Sequence, residues 1–409
     1  MAKVCHTLGF LMHQPPDIFS LLVENQMGRL VQIINSYQMP LKYLDSYRDS
    51  LKIHVGFSGI LLEQLLSREV IDACRKVIDI PLMLNEYRES KNVEIIGLGY
   101  SHPIFPLIPS VDWNSQIAQG REIIREVFGQ EPKGFWPSGR GFCPQMIPVL
   151  KKYGYEYVIL DRSIIKPGSR EVVKGRHGRE HYSTIGNLTY QGIEIGAVLI
   201  SKGFDHLQNG DSPLEPSSAH PYSENPSGQR QRNPLVVDWL FIDELTGRRT
   251  AGEPEDCEFW EGCFSPYLER IYKAGLAVRG VLLREFLHDM KVRHLMTVRQ
   301  GSGFAAGSQA DDGHSASIGR YAASDRARAI EDVWQLSQLY HEVKSALLRK
   351  ADRSLCQEYL SGLLEKAEKW LLKSQTDCYF AEDGPWAARL YDNIKPGLIL
   401  LKEIKRQVL

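Results

Sequence analysis

Gly134-Phe135-Trp136-Pro137-Ser138-Gly139-Arg140 leads into a helical run, Pro144 to Tyr153, and then into a second short apolar run, Tyr157 to Leu160. Strand, turn, helix and strand in that succession is the building unit of a parallel sheet with helical crossovers. The unit recurs in both directions along the chain. Candidate strands are Val4 to Met12, Lys52 to Phe57, Val93 to Leu98, Gly134 to Trp136, Tyr157 to Leu160, Ile193 to Ile200 and Leu235 to Ile242, with helical runs such as Gly59 to Leu66, Val70 to Glu89 and Trp113 to Phe128 between them. Seven strands in this order predict an α/β fold, a (β/α) barrel rather than an open two-layer sheet.

Residues 202–234 are dense in Ser, Pro, Gly, Asn and His and read as a long loop, either a lid or disordered. A Gly, Ser and Ala-rich stretch, 301–323, separates a barrel domain (1–300) from a C-terminal helical domain (301–409) that completes the barrel mouth. In the tail, Val333, Leu336, Tyr340, Val343 and Leu347, and again Leu360, Leu363, Leu364, Ala367 and Leu371, recur at helical spacing.

The 409 residues are 43% hydrophobic, enough for a large core, and 49 Lys and Arg face 50 Asp and Glu. Near neutrality excludes nucleic acid or a membrane surface as the main partner, so any binding surface is local. The opening residues lack the zones of a signal peptide, and no apolar run reaches the roughly 20 residues of a membrane helix. Seven cysteines are scattered, and the closest pair, Cys257 and Cys263, has the wrong spacing for a zinc ribbon or redox dithiol. They read as reduced packing thiols of a cytoplasmic protein.

In a parallel barrel, ligands sit over the carboxyl ends of the strands, so polar residues at strand exits are the candidates. The first strand ends in Met12-His13-Gln14-Pro15-Pro16-Asp17, where two prolines stiffen the turn beyond His13. A single histidine there reads equally as a capped core imidazole. The third exit, Gly97-Leu98-Gly99-Tyr100-Ser101-His102-Pro103, has glycines that let backbone approach a ligand, with Tyr100 and His102 able to bond hydroxyls. The same residues could also form only a tight turn with a surface aromatic.

Together these segments resemble glycoside hydrolase family 57. Met12-His13-Gln14-Pro15-Pro16 is similar to its first signature, and Gly97 through Ile108 to the second. Phe57 through Leu65 is also similar to the family. Gly134 through Gly139, continued by Ile147-Pro148-Val149-Leu150 and Gly154 through Asp161, aligns with the third, and Leu371 through Trp386, containing Asp377, resembles the fifth.

The resemblance implies an irregular seven-stranded (β/α) barrel followed by a C-terminal helical domain, acting on α-glucans by a retaining mechanism without a metal; no cofactor is expected, and the partner is a carbohydrate. Retention needs two carboxyl groups about 5 Å apart, one attacking the anomeric carbon and one protonating the leaving oxygen. The family's nucleophile is a glutamate three residues after the tryptophan, and here that position is Gly139. The family's general acid corresponds most closely to Asp243, with Asp238 and Glu244 as alternatives in Leu235 through Gly247. Asp161 is the nearby carboxylate that could substitute, and Arg140 could take an anionic group or pair with a local acid.

Gly139 cannot attack, so the leading expectation is saccharide binding with classical hydrolysis lost, through His13, Gln14, Tyr100, His102, Trp136, Arg140, Asp377 and Trp386; Trp239 could add a further aromatic face. The second expectation is an active glycosidase or glycosyltransferase-type enzyme with a non-standard mechanism. A third is a metal-dependent deacetylase-like enzyme, for which His13 with Asp17, or His54 with His102, make loose ligand sets.

Overall fold

The computed structural model describes residues 4–47, 50–138, 141–166, 172–174, 180–182, 184–200, 235–242, 259–272, 278–289, 294–298, 325–349, 355–381 and 386–408. Its strands are β1 (Val4–Met12), β2 (Ile53–Phe57), β3 (Val93–Ile96), β4 (Gly134–Phe135), β5 (Tyr157–Leu160), β6 (Val172–Lys174), β7 (Glu180–Tyr182), β8 (Ile185–Tyr190), β9 (Ile193–Leu199), β10 (Leu235–Phe241) and β11 (Val278–Gly280). The helices are α1 (Ile18–Asn25), α2 (Met27–Ser46), α3 (Gly59–Leu65), α4 (Arg68–Cys74), α5 (Ile80–Glu89), α6 (Trp113–Phe128), α7 (Ile147–Lys152), α8 (Ser265–Tyr272), α9 (Leu283–Asp289), α10 (Asp325–Arg349), α11 (Leu355–Ser374), α12 (Cys378–Ala381) and α13 (Trp386–Val408).

All seven expected strands form, and they pair in parallel in the order β10-β1-β2-β3, then β4-β5-β9. Gly97 joins the two groups: its N–H donates to Gly134 O at 2.9 Å and its carbonyl accepts from Trp136 N at 2.9 Å. Among the described residues no ladder links β9 to β10. A side-chain bond from Thr184 Oγ1 to Leu235 O, 3.3 Å, crosses that seam. The 202–234 loop lies outside the described residues.

Some described features escaped the periodicity, among them three that shape the sheet and its covering helices. The expected helix over 70–89 is two, α4 and α5, because Asp79 caps the second: its Oδ1 accepts from Leu82 N at 2.9 Å, with Pro81 in the first turn. Strand β8 runs antiparallel to β9 through a turn in which Gln191 (φ 50°) and Gly192 (φ 79°) are both left-handed, the combination a tight two-residue hairpin needs. Short β11 pairs with the start of β1.

Successive β1 residues face opposite sides, as strand geometry requires. Leu8, Phe10 and Met12 pack with α1, α2 and α3, whereas Cys5 and Leu11 join Ile96, Tyr157, Ile159, Val198 and Trp239 on the other face. Parallel sheets are covered on both faces, and these apolar residues meet that demand.

The second face also buries charge at the amino ends of the strands. His54 Nε2 lies 3.2 Å from Glu94 Oε2, and the Tyr157 hydroxyl donates to Glu94 Oε1 at 2.7 Å. Helix α9 closes over them, with Leu283 N donating to His54 Nε2 at 2.9 Å and Arg284 N to Glu94 Oε2 at 3.0 Å. Burial alone would push the Glu94 carboxyl up, but His54, the Arg284 amide and the Tyr157 hydroxyl outweigh it and hold the group below the usual glutamate range.

Helices α10, α11 and α13 bury their apolar stripes against one another and against Ile104 and Leu107, beyond the β3 exit. A buried polar chain fastens this layer to the sheet. Gln116 of α6 accepts from Ser101 N at 3.0 Å and donates to Leu372 O at 3.1 Å and Gln375 Oε1 at 2.8 Å. Gln375 donates to Asp112 Oδ2 at 2.6 Å, and Asp112 Oδ1 is 2.7 Å from His341 Nε2.

Two expectations follow. Glu94→Gln lowers the unfolding free energy at pH 7 by about 3 kcal/mol, the scale of breaking a buried pair. Because the folded pKa is depressed, the carboxylate stabilises above its unfolded pKa and loses that effect as pH falls through the folded value. Urea melts of both proteins should therefore converge in acid; a constant gap would show that ionisation plays no part. Gln116→Leu costs about 2–4 kcal/mol, because it strands several buried partners at about 1 kcal/mol or more each. Amide exchange across 374–378 should accelerate with it, and unchanged exchange would show that the segment is held by other contacts.

Candidate functional site

The exits of β1 and β2 are laced together before any side chain is considered, since Ser58 N donates to Met12 O at 3.1 Å. Ser58 caps α3, its Oγ accepting from Leu61 N, and the same oxygen lies 2.8 Å from His13 Nδ1. The polar exit residue of β2 thereby fixes the ring leaving β1. His13 is 3% exposed, and Gln14 beside it is also buried.

His102 comes from the β3 exit in a left-handed conformation, φ 56°, which costs a side-chain-bearing residue about 1–2 kcal/mol. The turn holds it there through His102 N to Gly99 O, 2.9 Å, and strain of this kind concentrates at functional sites. Its ring is 4.7 Å from that of His13 and 5.7 Å from Phe241, near the end of β10.

The third member arrives from the helical layer. From the end of α11, a buried strap of Ser374, Gln375 and Thr376 carries Asp377 over the strand ends. Asp377 Oδ1 is 3.2 Å from His13 Nε2, and Oδ2 is 3.2 Å from His102 Nδ1. The Ser138 hydroxyl, from the β4 exit, donates to Oδ2. Thr376 Oγ1 lies 3.0 Å and Cys378 Sγ 3.3 Å from His13 Nε2.

Burial would raise the Asp377 carboxyl, but His102 and His13 outweigh it and hold it well below the usual carboxylate range. Burial lowers the His13 pKa despite the Asp377 contact. The result is a fixed carboxylate between two imidazoles at the carboxyl ends of three parallel strands. It can accept hydrogen bonds from hydroxyls or bind a cation.

The other predicted residues fall elsewhere. Tyr100 is 2% exposed, donates its hydroxyl to Glu63 Oε2 at 2.8 Å and packs with Ile60 and Leu372; it is neither a surface aromatic nor open to a ring. Trp136 is half-buried and stacks on Trp239, with centroids 5.1 Å apart and planes at 14°. Trp239 is itself 6% exposed and fills the space above Gly9, so it backs Trp136 instead of offering a face of its own.

Asp161 Oδ1 accepts from Ser163 N at 2.7 Å, capping the turn after β5. Asp238 is not at a strand exit: it is buried in mid-strand on the α8 side, accepts from the Tyr267 hydroxyl and lies 3.0 Å from His6 Nε2. Asp17 pairs with Lys373 at 3.0 Å and His54 with Glu94, so neither ligand pair expected from the sequence forms. Gly139, Arg140, Asp243 and Glu244 lie outside the described residues, as does the side chain of Trp386, which opens α13.

Sequence reading missed Ser58, Ser138, Thr376, Gln116, Asp112 and His341. A serine directly after an apolar strand and before a helical run marks Ser58 as a cap. The others carry no local signal, because polar residues on helices and turns are common.

Residues 29–196 match the family model described as glycosyl hydrolase family 57. An α-amylase of Dictyoglomus thermophilum is 30% identical over 162 residues, 39% of this chain and 21% of the relative. A 4-α-glucanotransferase of Thermococcus litoralis is 27% identical over 163 residues, 39% of this chain and 22% of the relative. The match therefore spans about a fifth of the length of these relatives. Among solved structures, a branching enzyme of family 57 from Thermococcus kodakaraensis, in complex with glucose, superposes with TM-score 0.65 at 14% identity, over 99% of this chain and 90% of that one. An α-amylase of Thermotoga maritima gives 0.64 at 12% identity, over 100% and 95%. These likenesses carry the fold, a mixed α/β arrangement with a parallel sheet and a helical C-terminal part. Residues 29–196 are thus similar to glycosyl hydrolase family 57, and the fold of the chain agrees with that likeness.

Proposed function

We propose that this chain binds an α-glucan or related saccharide over the carboxyl ends of its strands, and that classical retaining hydrolysis is lost. One observation carries the reading: His13, His102 and Asp377, which belong to three separate family-like segments, converge on one another beside Ser138. A buried carboxylate held between imidazoles suits the hydroxyls of a pyranose, and half-buried Trp136 on its Trp239 backing supplies an apolar face. In this reading the seven parallel strands make an irregular barrel with its seam between β9 and β10. The helical segment after residue 300 completes the mouth by delivering Asp377.

Loss of hydrolysis rests on Gly139, which follows Ser138 in the sequence. A residue without a side chain cannot form the glycosyl-enzyme intermediate, and retaining chemistry has no path around it. Asp377 is bonded on both oxygens, and Asp161 is engaged as a cap; neither stands as a free nucleophile. The relatives' names, α-amylase and 4-α-glucanotransferase, favour α-linked glucose polymers as the ligand class.

Calorimetry and product analysis with maltooligosaccharides test the reading. The native protein should bind without cleaving, and Asp377→Asn should weaken binding about 10- to 100-fold, the range for a hydrogen bond to a charged group. Absence of binding to every α-glucan overturns the ligand class. Cleavage by the native protein overturns the loss of activity, and its abolition in Asp243→Asn would place the acid and support a non-standard mechanism. Gly139→Glu tests the vacancy: slow hydrolysis appearing only in that variant identifies the missing nucleophile as the cause of inactivity.

A further inference from the structure

We propose that His13, His102 and Asp377 form a three-ligand site for one divalent first-row transition ion. The assignment goes beyond saccharide binding and does not depend on it. One donor atom from each residue lies within 4.8 Å of the donors of the other two. The closest approaches, His13 Nε2 to Asp377 Oδ1 and His102 Nδ1 to Asp377 Oδ2, are both 3.2 Å. Donors about 2.0–2.1 Å from a tetrahedral zinc ion stand about 3.3 Å apart; each histidine–carboxylate approach matches one such edge, through a different carboxylate oxygen, and a small side-chain movement would draw the full set in from its 4.8 Å spread. Two imidazoles and one carboxylate are also a donor set that suits these ions.

Two further observations separate this cluster from an ordinary buried ion pair. His102 is 1% exposed, yet neither of its ring nitrogens completes a hydrogen bond, although Nδ1 is in reach of Asp377. Buried polar groups normally find partners, and a bound ion would supply one. His13 has the outer contact characteristic of a ligating histidine, since Nδ1 lies 2.8 Å from Ser58 Oγ. With Nδ1–H donating there, the Nε2 lone pair is directed to the side where Asp377 Oδ1 and the Thr376 hydroxyl lie, so it can accept from that hydroxyl or bind an ion. Ser138, donating to Asp377 Oδ2, orients the carboxylate in the same way.

Three protein ligands leave at least one coordination position for an exogenous oxygen, such as water or a sugar hydroxyl. Cys378 Sγ, 3.3 Å from His13 Nε2 and 3.6 Å from Asp377 Oδ1, lies beside the set.

The test uses the full chain, stripped with a chelator and titrated with Co²⁺ alone, then with Zn²⁺. The expected result is one Co²⁺ per chain, with the visible absorption of a four- or five-coordinate ion, bleached by one equivalent of Zn²⁺. His102→Asn keeps a residue tolerant of the left-handed backbone, and Asp377→Asn keeps the shape of the carboxylate. Each should weaken Co²⁺ affinity by more than the roughly 100-fold that loss of an outer partner typically costs. Ser58→Ala, which removes only such an outer partner, should weaken it about 10- to 100-fold. Circular dichroism of the apo variants separates loss of a ligand from loss of the fold. Sub-stoichiometric uptake by the native chain, or uptake unchanged in both folded ligand variants, overturns the site. Glucan titrations on apo and Zn²⁺-loaded protein keep the readings apart: ion uptake without glucan binding retains the site and rejects the saccharide, and glucan binding without ion uptake does the reverse.

Discussion

The contact of Asp377 with both His13 and His102 is the constraint on which the rest of this architecture turns. It joins the exits of β1 and β3 to a strap at the end of α11, and Ser138 adds the exit of β4. A carboxylate in a largely buried setting is tolerable only when several donors compensate its lost hydration, so its position is over-determined. The left-handed backbone of His102 is kept for the same reason, because relaxing it would remove one of those partners.

The sheet carries a second buried charge at its opposite end, and the two clusters differ in kind. Glu94 and His54 are closed over by the first amides of α9, and their hydrogen bonds are complete among backbone and tyrosine partners. Such a cluster fixes strand ends and offers nothing to a ligand. The cluster at the carboxyl ends leaves the ring nitrogens of His102 without a completed hydrogen bond and has the Phe241 ring 5.7 Å from that imidazole. In parallel α/β folds, polar groups at the carboxyl ends are associated with chemistry and those at the amino ends with stability; these two clusters lie at opposite ends, while Asp238 is buried with His6 in mid-strand. The polar chain Ser101–Gln116–Gln375–Asp112–His341 then acts as scaffold, setting the height of the strap above the strands.

Much of this was legible in the residues themselves. The seven parallel strands follow from apolar runs separated by helical spacing, and α6 begins and ends where its pattern predicts. The split between α4 and α5 was readable in principle from Asp79 and Pro81, a capping residue followed by a helix-opening proline. His13 and His102 were legible as polar residues at strand exits and Asp377 only through family resemblance, and no spacing rule shows that residues so far apart meet. Tyr100 and Trp239 look like exposed ring platforms in a sequence, and packing buried both, Tyr100 against Leu372 and Trp239 above Gly9. Asp238 looks like a strand-exit acid, and the continuation of β10 to Phe241 leaves it in mid-strand.

By itself, then, the sequence determined the succession of elements, the class of fold and the glycine at position 139, because each of these is written in short-range patterns of burial or in residue identity. Only the tertiary structure decided which polar residues meet. His13 and Thr376 are 363 residues apart and touch because the helical layer buries its apolar stripes against the segment after β3. That docking is set by the packing of whole surfaces, not by any local spacing, and it turns a histidine at a strand tip and an aspartate after a helix into one site.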